Sequence, residues 1–289
     1  MATIANYFEQ AQLSLAAYAL NLTPGISGTD YTIKLEAAGM SASQATEFAK
    51  NYSVIDQSPA DPDGFSATLF VDRLDPARKI LAIRGVDNTF DFLKHVVDIG
   101  LLGTSDLVLE YRSLNNYYQQ LVTQGLLGVG ETFTVTGHSL GGFLAQLFTV
   151  DHANVVSHAD TYNAPGIGGV VAEVLSAFDI TQTNIPGALI TNVFAQTGPE
   201  FVAGAGTLLG NTQPVFIENQ GLLAIPGNHG IVPLTDSLAI YSLFTRLSPM
   251  VSVDTITNIL KAASHSRNTT TTTDKSLESA LDAIRNFIA

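Results

Sequence analysis

The sequence predicts an α/β fold, with a mostly parallel central sheet and helices on both faces. Three observations carry that prediction. The 289 residues are 46% hydrophobic and only 13% charged, which supplies apolar side chains for one large core. Strand-like and helix-like stretches alternate through the middle of the chain, the rhythm of βαβ units. The segment VTGHSLGGFLAQLF at 135–148 runs from a β-branched strand through glycines into an apolar helix.

Residues 1–50 read as helical, with Leu13, Ala16, Ala17 and Leu20 at helical spacing and a second stretch from Ser41 to Lys50. SPADPDG at 58–64 is a dense turn signal. FSATLFVD and KILAIRG follow as two strands joined by RLDPAR, a hairpin-like connection. EYRSLNNYYQQLVTQ at 110–124 reads as a helix and TFTVTG at 132–137 as a short strand. SHADTYNAPG, ALITNVFAQTG and TQPVFIE supply three more strands, and TDSLAIYSLFTRL a late helix with Thr235 as its N-cap. Residues 1–250 are expected to form one domain. Residues 251–289 read as a helical extension whose five consecutive threonines, Thr269 to Thr273, have the polarity of a linker's start.

Composition narrows the partners. A net charge of −13 leaves no basic patch of the kind nucleic acid requires. With no cysteine, disulfides, thiolate metal sites and a Cys nucleophile are excluded, and neither a metal nor a cofactor is expected. The first twenty residues carry no Lys or Arg and have polar residues throughout, unlike a signal peptide. No apolar run approaches the roughly 18 to 20 residues that span a bilayer, so no transmembrane segment is expected. Export without an N-terminal signal peptide is the expectation for localisation, with the cytoplasm as the alternative.

GHSLG at 137–141 matches GxSxG, the nucleophile elbow of an α/β-hydrolase sheet. With glycine at about 7% of residues, that pattern arises by chance in roughly one chain of this length in ten. Here it follows Phe133 and Val135 and precedes Phe143, Leu144, Leu147 and Phe148, the strand-to-helix setting the motif needs. The glycines clear space around Ser139, and the helix behind it presents N–H groups to developing negative charge.

A serine nucleophile needs a base. Of the six histidines, His229 stands in IPGNHGIVPLTD, after the last strand and before the late helix, where the order Ser, acid, His delivers it. His138 lies inside the elbow and is expected to point away from the reaction face; His95, His152 and His158 read as surface or packing residues. For the acid, Glu200 in QTGPEFVAG follows a strand at its carboxyl end, with Asp179 and Glu218 as alternatives.

The segment 90–102 comes soon after Val86, the residue that follows the second strand's RG. At 100° per residue Asp91, Lys94, His95 and Asp98 share one sector about 100° wide, with Phe90, Phe92, Leu93, Val96, Val97, Ile99 and Leu101 around the remainder and only Leu102 breaking the pattern. Such a helix suits a lid that covers an apolar pocket and meets a lipid–water interface.

With these residues in view, LAIRGVDNTFDFLKHVVD, TFTVTGHSLGGFLAQLF, DTYNAPGIGG and the His229 segment resemble the class 3, fungal-type lipase family of α/β-hydrolases, in a bacterial-looking variant. The resemblance runs from about Gly64 to Leu247. It implies that Val86, after the Arg-Gly pair, and Leu140, after the nucleophile, give backbone N–H groups to an oxyanion hole. The family usually has Ser or Thr where Val86 stands, and Asp where Glu200 stands. The resemblance implies a carboxylic-ester hydrolase acting on a lipid ester, most simply a triacylglycerol lipase. A phospholipase A1, a short-chain or polyester esterase, and a lipid-binding relative without turnover are the alternatives.

Overall fold

A computed structural model describes residues 3–59, 64–86, 105–167, 175–176, 178–181, 186–196, 207–217 and 229–264. Its centre is a seven-stranded sheet whose spatial order follows the chain: β1 (Tyr52–Gln57), β2 (Ala67–Asp72), β3 (Lys79–Ile83), β4 (Phe133–His138), β5 (Val156–Tyr162), β6 (Ile190–Ala195) and β7 (Asn211–Val215). β1, β2 and β3 pair antiparallel, and from β3 to β7 every pairing is parallel. The mostly parallel sheet expected from the sequence is therefore present, with an antiparallel hairpin at one side.

Side-chain alternation along the strands divides the core into two layers. In β3, Leu81 and Ile83 join one layer while Ile80 and Ala82 join the other. The first layer is closed by α4 (Ser105–Thr123), through Leu107, Tyr111 and Leu114, and by α5 (Leu140–Asp151), through Phe143, Leu144, Leu147 and Phe148. The second is closed by α1 (Ile4–Ala16), α2 (Gly28–Ala37), α3 (Ala42–Asn51), α6 (Ile231–Leu247) and α7 (Val253–Ser264). Both faces of the central strands are thus covered, which is why β2 and β3 are almost continuous apolar runs.

Local chemistry sets several boundaries. Ser41 accepts from the Gln44 N–H at 3.2 Å while the Gln44 side chain returns to the Ser41 N–H at 2.9 Å, a reciprocal cap that starts α3. The late helix begins earlier than the sequence suggests. Gly230, not Thr235, is its N-cap, and Thr235 lies a turn inside with its hydroxyl donating to the Ile231 carbonyl at 2.8 Å. Pro233 falls in the first turn of this helix, where its missing N–H would have had no acceptor.

One element is unforeseen, and another is newly delimited within the stretch 1–50 read as helical. β1 follows α3 without an intervening turn and buries only Tyr52 and Val54. α2 opens on Gly28 and buries only Tyr31 and Leu35, one turn apart. In the region assigned to an extension, Ile256 and Leu260 of α7 are buried in the layer that holds α1 and α6. Among the described residues, no helix is long and apolar enough to cross a membrane.

Candidate active site

β4 ends at His138 and α5 begins at Leu140, so Ser139 alone makes the turn between them. It does so at φ 58° and ψ −127°, a left-handed conformation that costs a residue with a side chain about 1–3 kcal/mol. The turn closes only because its neighbours lack Cβ atoms. One on Gly137 would strike the Gly141 carbonyl, and one on Gly141 would strike the carbonyl of Ile83 at the end of β3. The Ser139 N–H donates to the Tyr162 carbonyl at 2.9 Å, and its own carbonyl accepts from Phe143 at 3.1 Å. The backbone is thereby fixed on both sides.

The Ser139 hydroxyl is buried and makes no hydrogen bond among the described residues. It stands at the start of α5, whose first N–H groups have no acceptor within the helix and form its partially positive end. Leu140 is the first residue of that helix and is fully buried.

Gly85 brings the end of β3 against the same serine. A Cβ on Gly85 would stand 3.1 Å from Ser139 Cβ and 2.7 Å from the Tyr18 hydroxyl. Val86, next in the chain, is half-buried and packs against the layer that contains Leu140. The structure therefore brings Val86, Ser139 and Leu140 to one end of the parallel strands, the end at which α/β sheets collect functional groups.

His229 comes to the same place from 91 residues beyond His138. It immediately precedes Gly230 and α6, is buried, and its ring centroid lies 4.9 Å from that of His138. Its carbonyl oxygen lies 2.7 Å from His138 Nε2 and accepts from Asn163 Nδ2 at 2.9 Å. His138 Nδ1 faces the Tyr18 hydroxyl at 2.7 Å. Burial, reinforced by the neighbouring His229, pushes the His138 pKa down to about 3, so this ring is neutral.

The acids divide into two groups. Glu200 and Glu218 lie outside the described residues, as do Phe90, Phe92, Leu93, Val96 and Val97 of the expected lid. Asp179 is described: its side chain is 83% exposed and 3.7 Å from Arg112, the setting of a surface ion pair. Asp151 accepts from the Tyr111 hydroxyl at 2.8 Å, and Asp160 lies 3.5 Å from His158. His152 contacts Asn115 at 2.6 Å and His158 contacts Thr191 at 3.1 Å.

Tyr18 and Asn163 escaped the sequence reading. Nothing in the motif marks Asn163. For Tyr18 a faint signal exists: Gln10, Ser14 and Tyr18 recur every fourth residue along the first helical stretch, and the first two are buried.

Neither a protein-family model nor a curated protein matches the sequence. Among solved structures the chain is similar to a mutant form of MDLA from Penicillium cyclopium, at 16% identity over 76% of this chain and 83% of that one, with a TM-score of 0.49. It is also similar to Lip2 lipase from Yarrowia lipolytica, at 20% identity over 74% and 78%, with a TM-score of 0.42. Lipase II from Rhizopus niveus is similar at 16% identity over 67% and 73%, with a TM-score of 0.40.

Proposed function

We propose that the protein is a carboxylic-ester hydrolase of the triacylglycerol lipase type, with Ser139 as nucleophile and His229 as general base. The observation that carries this reading is Ser139 itself: a buried hydroxyl held at φ 58° on a strand-to-helix turn, with the His229 ring 4.9 Å from the ring of its chain neighbour His138. Backbone strain and a buried hydroxyl without a partner among the described residues are both unfavourable in a merely structural turn. Together they mark a site kept for chemistry.

In the proposed reaction Ser139 Oγ attacks the ester carbonyl carbon while His229 accepts its proton. The oxyanion is held by the Val86 and Leu140 N–H groups. Collapse of the tetrahedral intermediate breaks the ester C–O bond, and His229 returns the proton to the leaving alcohol. Water, deprotonated by the same imidazole, then releases the acid from Ser139. Glu200 is assigned as the carboxylate that steadies the His229 imidazolium. Ser139 Oγ is not hydrogen-bonded to His229 in this structure; in unliganded enzymes that contact is often long and tightens when substrate binds. A lipid ester presented at a lipid–water interface is the proposed substrate, and no step calls for a metal or cofactor.

Hydrolysis of p-nitrophenyl acyl esters tests the assignment. Wild-type protein is expected to turn over and Ser139→Ala to be inactive with an unchanged melting profile; turnover retained by Ser139→Ala would overturn it. Faster release of fatty acid from tributyrin than from phosphatidylcholine is expected, and the reverse order would make the protein a phospholipase instead.

A further inference from the structure

The main-chain carbonyl of His229 is gripped from two sides. His138 Nε2, at the end of β4, lies 2.7 Å from it, and Asn163 Nδ2, just beyond β5, lies 2.9 Å away. A carbonyl oxygen only accepts, so Nε2 must carry a proton and donate it. In a neutral ring Nδ1 is then an acceptor, and the Tyr18 hydroxyl donates to it at 2.7 Å. One tautomer of His138 is thereby selected.

Asn163 is itself anchored to the next strand. Its Oδ1 accepts from the Ala195 N–H at 2.9 Å, at the end of β6, and its own N–H donates to the Val193 carbonyl at 3.0 Å. It adopts φ 44°, a left-handed conformation that Asn tolerates better than most residues. The ends of β4, β5 and β6 are thus linked through hydrogen bonds to one carbonyl group, and that group belongs to His229. The nearest local structure offers less support, since Gly230 caps α6 without a side-chain hydrogen bond.

We propose that His138, oriented by Tyr18 and acting beside Asn163, is a positioning residue that fixes the main chain of His229 so that its imidazole meets Ser139. This rests on the reading of Ser139 and His229 as nucleophile and base. His138 touches no reacting atom; it acts through His229. Catalytic groups tolerate little displacement, and a shift of about 1 Å from a change outside the reacting groups can cost about a hundredfold in rate. A histidine that merely filled space would be replaceable by phenylalanine without loss of turnover.

The test compares kcat and KM for p-nitrophenyl butyrate in the full chain and in His138→Phe, His138→Gln and Tyr18→Phe, with Ser139→Ala and His229→Ala as controls and thermal melting to confirm folding. His138→Phe removes the donor and is expected to lower kcat about ten- to a hundredfold while KM stays within about twofold. His138→Gln restores an N–H near the Nε2 position and is expected to return kcat to within about threefold of wild type. Tyr18→Phe frees the tautomer and is expected to lower kcat by a smaller factor. Wild-type kcat in folded His138→Phe, or His138→Gln as slow as His138→Phe, overturns the proposal. If His138→Phe does not fold, an active His138→Gln with a slowed Tyr18→Phe supports it, and a slow His138→Gln or an unslowed Tyr18→Phe overturns it. Turnover retained by His229→Ala brings down the assignment of the base itself. An inactive His229→Ala beside a fully active His138→Phe brings down only the positioning role.

Discussion

His138 Nε2 and the carbonyl oxygen of His229 lie 2.7 Å apart although 91 residues separate them in the chain. The contact is buried, and burial is what depresses the His138 pKa to about 3. In the unfolded chain the same imidazole titrates near 6.5. Between these values the unfolded state binds a proton that the folded state does not, so this contribution to stability is complete above about pH 6.5 and is lost as pH falls toward 3. Melting temperatures from pH 7 to 4 are expected to fall less steeply for His138→Gln than for wild type. Parallel curves would contradict this.

His158 works in the opposite sense. Asp160, 3.5 Å away and buried, raises the His158 pKa, so its contribution is complete below about pH 6.5 and is lost as pH rises through the elevated value. Burial raises the pKa of Asp160 too; that contribution is complete below about pH 3.9 and is lost as pH rises through its elevated value. Asp160→Asn is expected to flatten the decline in melting temperature on the alkaline side. An unchanged slope from pH 6 to 9 would exclude the pair as its source.

The strain at Ser139 gives a prediction about stability. Ser139→Gly relieves a left-handed backbone worth about 1–3 kcal/mol, offset by about 0.4–1 kcal/mol of extra unfolded-state entropy. The variant is expected to be inactive yet about 1 kcal/mol more stable in urea denaturation. Ser139→Ala keeps the Cβ and should be inactive without that gain. Equal stability in the two variants would limit the strain at φ 58° to the about 0.4–1 kcal/mol that the unfolded-state entropy offsets.

Gly85→Ala places a Cβ 3.1 Å from Ser139 Cβ and 2.7 Å from the Tyr18 hydroxyl. The strand end carrying Val86 must then move. A loss of about 1–3 kcal/mol of stability is expected from the overpacking. A more than tenfold fall in kcat should accompany it, by displacement of an oxyanion donor. Unchanged kinetics would mean that the Val86 N–H does not serve the reaction.

The layered fold and the elbow were legible in the sequence because each has a local signature: alternation in the strands, and glycines on both sides of Ser139 at a change of hydrophobic period. β1 was not legible, although SPADPDG marks its end, since it buries only two side chains and follows α3 without a turn; within the helical stretch 1–50 the bounds of α2 were not legible, since it too buries only two. The roles of Tyr18 and Asn163 depend on contacts with residues 120 and 66 positions away, which no short window contains. His138 could be placed in the elbow from sequence. Its hold on His229 emerges only when three strand ends are seen together.

The most direct test of the central claim is covalent labelling by a fluorophosphonate, which reacts with a serine only when a base activates it. Wild-type protein is expected to gain one adduct per chain, mapped by peptide mass spectrometry to Ser139, and His229→Ala to remain unlabelled under the same conditions. Ester hydrolysis by wild-type protein without an adduct on Ser139, or equally fast labelling of Ser139 in His229→Ala, would contradict the account.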